Sequence, residues 1–292
     1  MLPQKKIIII LPPQCMQYTN SYFYAFKKND MNIDLQKKRA LVCGSTQGIG
    51  KAVAIALAEL ECNVTLLARN ENVLKEVAKE LPSFAGQQHD YIVGDFAFPQ
   101  ELKQKVAQYI DEKNAIHILI NNTGGPPAGP AATATVEEFT AAFTNHLICN
   151  HLLVQECLEG MKAANYGRII NIISTSVKQP IKGLGVSNTI RAAVANWAKT
   201  LSHEVARYGI TVNNVLPGAT NTARLTNIIE DKSKKTGRAF NDVTREMLAE
   251  IPAGRFAEAV EIAEAVAFLA SPAAGYINGI NLPVDGGRTL SL

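Results

Sequence analysis

Residues 43–50 read CGSTQGIG, with Gly44, Gly48 and Gly50 in the spacing G-x-x-x-G-x-G. Between a strand and a helix, that spacing permits a tight turn, close approach of backbone to a pyrophosphate and close helix–strand packing. The free N–H groups of the helix N-terminus then face the phosphates. Glycines alone suit any strand-to-helix turn; their spacing after a strand is what points to a dinucleotide. The next strand ends Ala68-Arg69, with no acid before Glu71. An acid there would bind a ribose 2′-hydroxyl, whereas an arginine suits a 2′-phosphate through charge-assisted hydrogen bonds. NADP(H) is therefore expected in preference to NAD(H), the plainer reading of Arg69 being a solvated arginine at a helix start.

The elements that must position this turn alternate along the chain. Strands are expected at 39–44, 63–69, 90–95, 116–122, 167–174, 210–218 and 280–285. Helices are expected at 48–61, 70–81 and 100–113, as one long helix over 135–163, then from 183 and over 260–271. Thr135 and Glu138 suit a capping box at the start of the long one. Near-continuous Val/Ile/Leu strands separated by helices mean a parallel sheet covered on both faces. With right-handed crossovers, the expected fold is α/β: a single-domain Rossmann-type doubly wound parallel sheet in three α/β/α layers.

Composition excludes several classes. Over 292 residues the net charge is only +3, so no general nucleic-acid role is implied. Cys15, Cys43, Cys62, Cys149 and Cys157 contain no CxxC pair, so no metal site or disulfide framework is expected and a cytoplasmic location is. The apolar run Ile7–Leu11 is stopped by Pro12 and Pro13, too short for a signal-peptide core or a membrane span. Residues 1–31 are expected to be a poorly ordered N-terminal extension to a domain at 32–292.

From residue 36 onward the chain resembles the classical short-chain dehydrogenase/reductase family, most closely its 3-oxoacyl-[acyl-carrier-protein] reductase branch. The motifs that carry this are CGSTQGIG, GDF (94–96), INNTGG (120–125), FTNHL (143–147), GRIINIIS (167–174), LPGATNT (216–222), IPAGRFAEAVEIA (251–263) and INGINLPVDGG (277–287). The resemblance implies cofactor contacts from the whole turn (Gly44, Ser45, Thr46, Gln47, Gly48, Ile49, Gly50) and Arg69. It adds Asp95 and Phe96 beside the adenine, Asn122, Thr123 and Gly124 under the fourth strand, and Pro217, Gly218 and Thr222 at the nicotinamide. Asn145 matches the asparagine that holds a relay water, and Ser174 the serine that hydrogen-bonds the substrate carbonyl. The plainer readings are a polar residue in a helix distortion for Asn145 and a strand-end hydroxyl for Ser174.

The match breaks at GLGVSNTIRAAVANWAK, residues 183–199. Counting from Ser174, the family's tyrosine and lysine fall at Ser187 and Arg191, so the pattern is Ser-x-x-x-Arg in place of Tyr-x-x-x-Lys. Tyr24–Lys28 and Tyr109–Lys113 have the right spacing on the wrong segments. Serine is a far weaker acid than tyrosine, and arginine does not give up a proton, although Arg191 can hold the nicotinamide ribose and stabilise an oxyanion. The candidate catalytic set is thus Asn145, Ser174, Ser187 and Arg191, with the proton coming from a water or from a desolvated Lys178 or Lys182. The expected activity is NADP(H)-dependent reduction of a carbonyl on a small molecule or acyl thioester, as in fatty acid biosynthesis. The alternative is a weak or inactive NADP-binding sensor or scaffold. GGPPAGPAAT (124–133) could wall the pocket. In the family, the segment matching 222–250 is a mobile lid, whose Lys/Arg-rich centre could meet a carrier protein's acidic surface or be merely a solvated hairpin. Apolar stripes LICNHLLV and AAVANWA, taken as facing outward, suggest a homodimer or homotetramer, with no nucleic-acid or membrane partner.

Overall fold

Seven parallel strands follow from runs of buried aliphatic residues: β1 (Arg39–Cys43), β2 (Asn63–Ala68), β3 (Asp90–Val93), β4 (Ile118–Asn121), β5 (Gly167–Ile172), β6 (Ile210–Pro217) and β7 (Asn281–Val284). The structure is a computed structural model that describes residues 31–84, 86–110 and 115–291. Ile33–Leu292 form one compact unit. Apart from Met31, the expected extension lies outside the described residues, as do Tyr24, Lys28, Lys113 and Cys15. The strand order β3-β2-β1-β4-β5-β6-β7 reverses direction between β1 and β4. In open parallel sheets, that reversal opens a ligand crevice at the carboxyl ends of the strands.

Helices cover both faces. On one lie α1 (Gly48–Glu59), α2 (Glu71–Glu80) and α9 (Ala259–Ala270), whose Val53, Leu57, Leu74, Ile262 and Val266 share a core with Val42, Val64 and Ile120. On the other lie α3 (Pro99–Tyr109), α5 (Cys149–Ala163) and α6 (Gly185–Val205), with Leu102, Leu153, Met161 and Ala198 against Leu41, Leu119 and Ile169. The helical hairpin α7 (Ala223–Thr236) and α8 (Phe240–Ala249) turns at Gly237, which is left-handed at φ 66°. Its basic centre is partly neutralised from within, since Lys232 and Arg238 both pair with Glu246.

Two expectations need correction. The single long helix over 135–163 is broken: α4 (Val136–Phe143) starts at the Thr135–Glu138 capping box, and a π-helical turn (Thr144–Ile148) separates it from α5. There the Cys149 N–H donates to the Thr144 carbonyl, so one extra residue is accommodated and Asn145 sits in the bulge. The stripes LICNHLLV and AAVANWA do not face outward either. Leu153, Val154, Val194, Ala195 and Ala198 are buried within the chain because these are the faces that cover the sheet. The larger exposed apolar side chains in this part of the molecule are Phe98, Val136 and Phe143.

An amide ladder crosses the sheet. Asn121, Asn171, Asn214 and Asn281 are register partners, and each Nδ2 donates to the next Oδ1 at 2.8 Å. The ladder fixes the depth of neighbouring strands and leaves Asn121 Oδ1 buried without a partner.

Two histidines are held neutral by the backbone. His117 Nδ1 accepts the Arg39 N–H at 3.1 Å, and burial, then Lys38 and Arg39, push its pKa down to about 4. His89 Nδ1 accepts the Val64 N–H at 3.2 Å and is lowered by burial. Because the folded values lie below the unfolded value near 6.5, their contribution is intact above that pH and is lost as pH falls toward the folded values. Urea midpoints should therefore drop between pH 7 and 5, at up to about 1.4 kcal/mol per pH unit for each group. His117→Asn, which has lower starting stability, should show the shallower dependence; an unchanged slope would contradict this.

Candidate active site

The glycine turn is built as its spacing requires. Gly44 and Gly48 have φ of +59° and +55°, a region that disfavours side chains. Gln47 precedes α1 in extended conformation without a side-chain cap, so the N–H groups of the first turn remain available to a ligand. Asn122 Nδ2 clamps the turn by donating to the carbonyls of Cys43 (3.2 Å) and Gly44 (3.3 Å). Thr222, just before α7, closes from the other side: its methyl would lie 3.3 Å from a Cβ on Gly48. The turns after β1 and β6 thus face each other across the crevice.

The expected cofactor residues are held as follows. Ser45 is fully buried; its hydroxyl accepts the Leu67 N–H at 3.1 Å and is oriented toward the Leu67 carbonyl. That hydroxyl ties β1 to β2. Ile49 leans on the core and Phe96 is buried, its carbonyl accepting from the Cys149 thiol at 3.2 Å. The Asn122 amide is engaged as described, so its side chain shapes the turn. Thr46 is half-buried and Gln47 exposed on the turn. Asp95 is half-buried and its Oδ1 accepts the Ala97 N–H at 3.0 Å. Thr123 is half-buried and Gly124 is exposed in open space at the end of β4. Pro217 ends β6 and Gly218 follows it, its N–H donating to the Val284 carbonyl at 2.9 Å, and a Cβ on Gly218 would press on Asp285. Arg69 is exposed and makes no ion pair among the described residues, while Glu71 is engaged with Lys75 at 2.7 Å. The turn, the N–H groups and an unpaired Arg69 fit a dinucleotide bearing a 2′-phosphate.

The catalytic candidates converge on α6. Ser187 and Arg191 are one turn apart and both buried. This helix packs on the π-turn that carries Asn145 and on the short turn (Thr175–Val177) that follows Ser174. Ser174 Oγ accepts the Ser176 N–H at 3.1 Å, which orients the hydroxyl at the end of β5. Arg191 Nη1 donates to the Ile172 carbonyl at 2.9 Å, so the guanidinium is docked on β5, while its Nε has no acceptor. Burial, then the charge of Arg224, pushes Arg191 down to about 10, so it stays protonated at neutral pH. The start of α6 is walled by the loop GGPPAGPAAT: Gly129 exchanges backbone hydrogen bonds with Gly183 and Gly185 at 2.8 and 2.9 Å. A Cβ on Gly185 would lie 2.6 Å from the Ala131 Cα.

The other candidate acids are elsewhere. Tyr109 bonds Thr65 at 3.0 Å and Arg39 at 3.3 Å, and Arg39 begins β1, at the opposite end of the strands from the glycine turn. Lys182 is exposed and Lys178 half-buried.

Two residues beside the site went unread in the sequence. His146, next to Asn145, is 2% exposed, and burial, then Arg191 and Arg224, hold its pKa down at about 2. It is a neutral imidazole at any working pH. Arg224 leaves the start of α7 to lie over Gly125, donating to its carbonyl at 3.3 Å. FTNHL and the residues just after LPGATNT contained them, but only the fold shows that they meet.

Among the described residues no helix is long and apolar enough to cross a membrane. Comparison with known proteins agrees with the geometry. The family profile described as Enoyl-(Acyl carrier protein) reductase matches residues 44–289. The 3-oxoacyl-[acyl-carrier-protein] reductase FabG of Vibrio cholerae is 34% identical over 87% of this chain and 98% of its own. The NADPH-dependent reductase BacG of Bacillus subtilis is 29% identical over 88% of this chain and all of its own. Among solved structures, YwfH, an NADPH-dependent reductase involved in bacilysin biosynthesis, superposes with a TM-score of 0.82 at 30% identity, covering 88% of this chain and all of that one. L-sorbose reductase from Gluconobacter frateurii, complexed with NADPH and L-sorbose, gives 0.83 at 29% identity over 90% of this chain and all of its own. The glycine turn, the strand order and these matches place the chain in the short-chain dehydrogenase/reductase family.

Proposed function

We propose that the protein is an NADP(H)-dependent reductase of a 3-oxoacyl-type carbonyl, working without a tyrosine acid. NADP(H), when bound, supplies the hydride. The first turn of α1 offers its N–H groups to the pyrophosphate, and Arg69 its charge to the 2′-phosphate. Ser174 and Ser187 hold hydroxyls toward the carbonyl oxygen. The buried charge of Arg191 stabilises that oxygen as it becomes an alkoxide. Asn145, in the π-turn, orders the water that delivers the proton; π-bulges of this kind are frequent at functional sites. The observation that carries this reading is the docking of Ser187 and Arg191 beside the end of β5 and the Asn145 turn.

A second reading, a binding protein with little chemistry, is favoured by the serine and arginine at 187 and 191, where a tyrosine and a lysine would supply the acid. NADPH oxidation with 3-oxoacyl thioesters, quinones and sugar lactones separates the two. Slow turnover with a 3-oxoacyl compound supports the reductase; tight NADPH binding with no turnover of any substrate sinks it. The four described cysteines, all free and buried, suit a reducing compartment such as the cytoplasm. The reading also includes a homodimer or homotetramer resting on the exposed Phe98, Val136 and Phe143. A monomer mass by light scattering would contradict that part.

A further inference from the structure

Among the described residues, other guanidinium groups drawn in from the solvent are matched. Arg288 pairs with Glu250, and the buried Arg168 donates to the carbonyls of Ser271, Gly167 and Gly209 over the Tyr166 ring. The two at the cleft differ. Arg191 is more than nine-tenths buried, gives one N–H to Ile172 and leaves Nε without an acceptor. Arg224, partly exposed, reaches across from α7 so that its Cζ would be 2.9 Å from a Cβ on Gly125. The charge of Arg224 acts on Arg191 and both act on His146, with no carboxylate among the described residues paired to either arginine. Neither arginine has an ion pair among the described residues. Two like charges gathered beside a neutral imidazole in a partly dehydrated cleft are unfavourable unless an anion joins them.

Anchoring a ribose and steadying an alkoxide need only the first of these arginines, so the second calls for another occupant. We propose that Arg224, with Arg191, binds a carboxylate carried by the substrate, so that the reductase acts on a free oxo acid rather than on a neutral ketone or ester. This deepens the proposed function and rests on it. His146 assists by staying neutral, since a protonated imidazole would add a third positive charge, and a carboxylate buried there would have no donor pair as good as two guanidiniums.

The test uses 3-oxooctanoate and its methyl ester, which differ only in the charge, titrated into the full chain saturated with NADPH. The acid should bind about ten- to a hundredfold more tightly than the ester, the range expected for charge-assisted hydrogen bonds. R224Q should remove most of that preference while leaving the ester and NADPH within about twofold, and R224K should keep part of it. Equal binding of acid and ester by the unaltered protein overturns the proposal. So does an R224Q protein that loses NADPH affinity and keeps its preference, because the anion at Arg224 would then be a cofactor phosphate. Failure of NADPH itself to bind the unaltered protein overturns the functional reading first, and this inference with it.

Discussion

Gly50→Ala should weaken NADPH binding by at least about a hundredfold. A Cβ at residue 50 would collide with the Gly44 carbonyl and lie 2.7 Å from Asn122 Nδ2. Backbone cannot yield as the end of a side chain can, so Gly44 or the start of α1 must move. Either movement breaks the Asn122 bonds to Cys43 and Gly44 and turns the N–H groups of α1 away from the phosphates. Overpacking of this kind also costs about 1–3 kcal/mol of stability. Gly124→Ala is the control for the fold, since a Cβ there meets nothing within 4 Å. Its melting temperature should stay near that of the unaltered protein while that of Gly50→Ala falls. Unchanged NADPH affinity in Gly50→Ala would show that the phosphates lie elsewhere.

The second large effect is a gain. Ser187→Tyr combined with Arg191→Lys should raise the rate of carbonyl reduction by about a hundredfold or more, because a positioned general acid contributes about 10²–10⁴. A tyrosine starts near pKa 10 and is lowered by a neighbouring ammonium, whereas a serine hydroxyl gives up its proton far less readily. The two positions share one face of α6, one turn apart, so the new pair would stand as the present one does. The gain should appear in kcat with NADPH affinity little changed. His146, held at about 2, adds no inflection near neutral pH, so a new inflection in the rate profile would belong to the tyrosine. No gain in a variant that melts normally would mean that proton delivery does not limit the native reaction.

The fold was legible because buried parallel strands are continuous apolar runs, and every strand falls within about two residues of its expected bounds. The break in the long helix was not, since one extra residue at Thr144–Ile148 hardly disturbs the spacing of apolar positions that marks a helix. Periodicity over 147–154 and 192–198 shows that each helix has an apolar face, not which way it turns, and the structure turns these faces onto the sheet. At the site, spacing located Gly44, Gly48 and Gly50 and the pair Ser187 and Arg191. Motif position does not show side-chain direction, so only the structure reveals that the Ser45 hydroxyl and the Asn122 amide hold backbone. The meeting of Arg191, Arg224 and His146 joins segments 33 or more residues apart, and nothing local in any of them signals it.

Calorimetric titration of the unaltered protein with NADPH and then NADH tests the central claim most directly. One NADPH should bind per chain, with NADH about ten- to a hundredfold weaker for want of the phosphate that Arg69 would hold. Heats indistinguishable from dilution for both nucleotides would contradict the account.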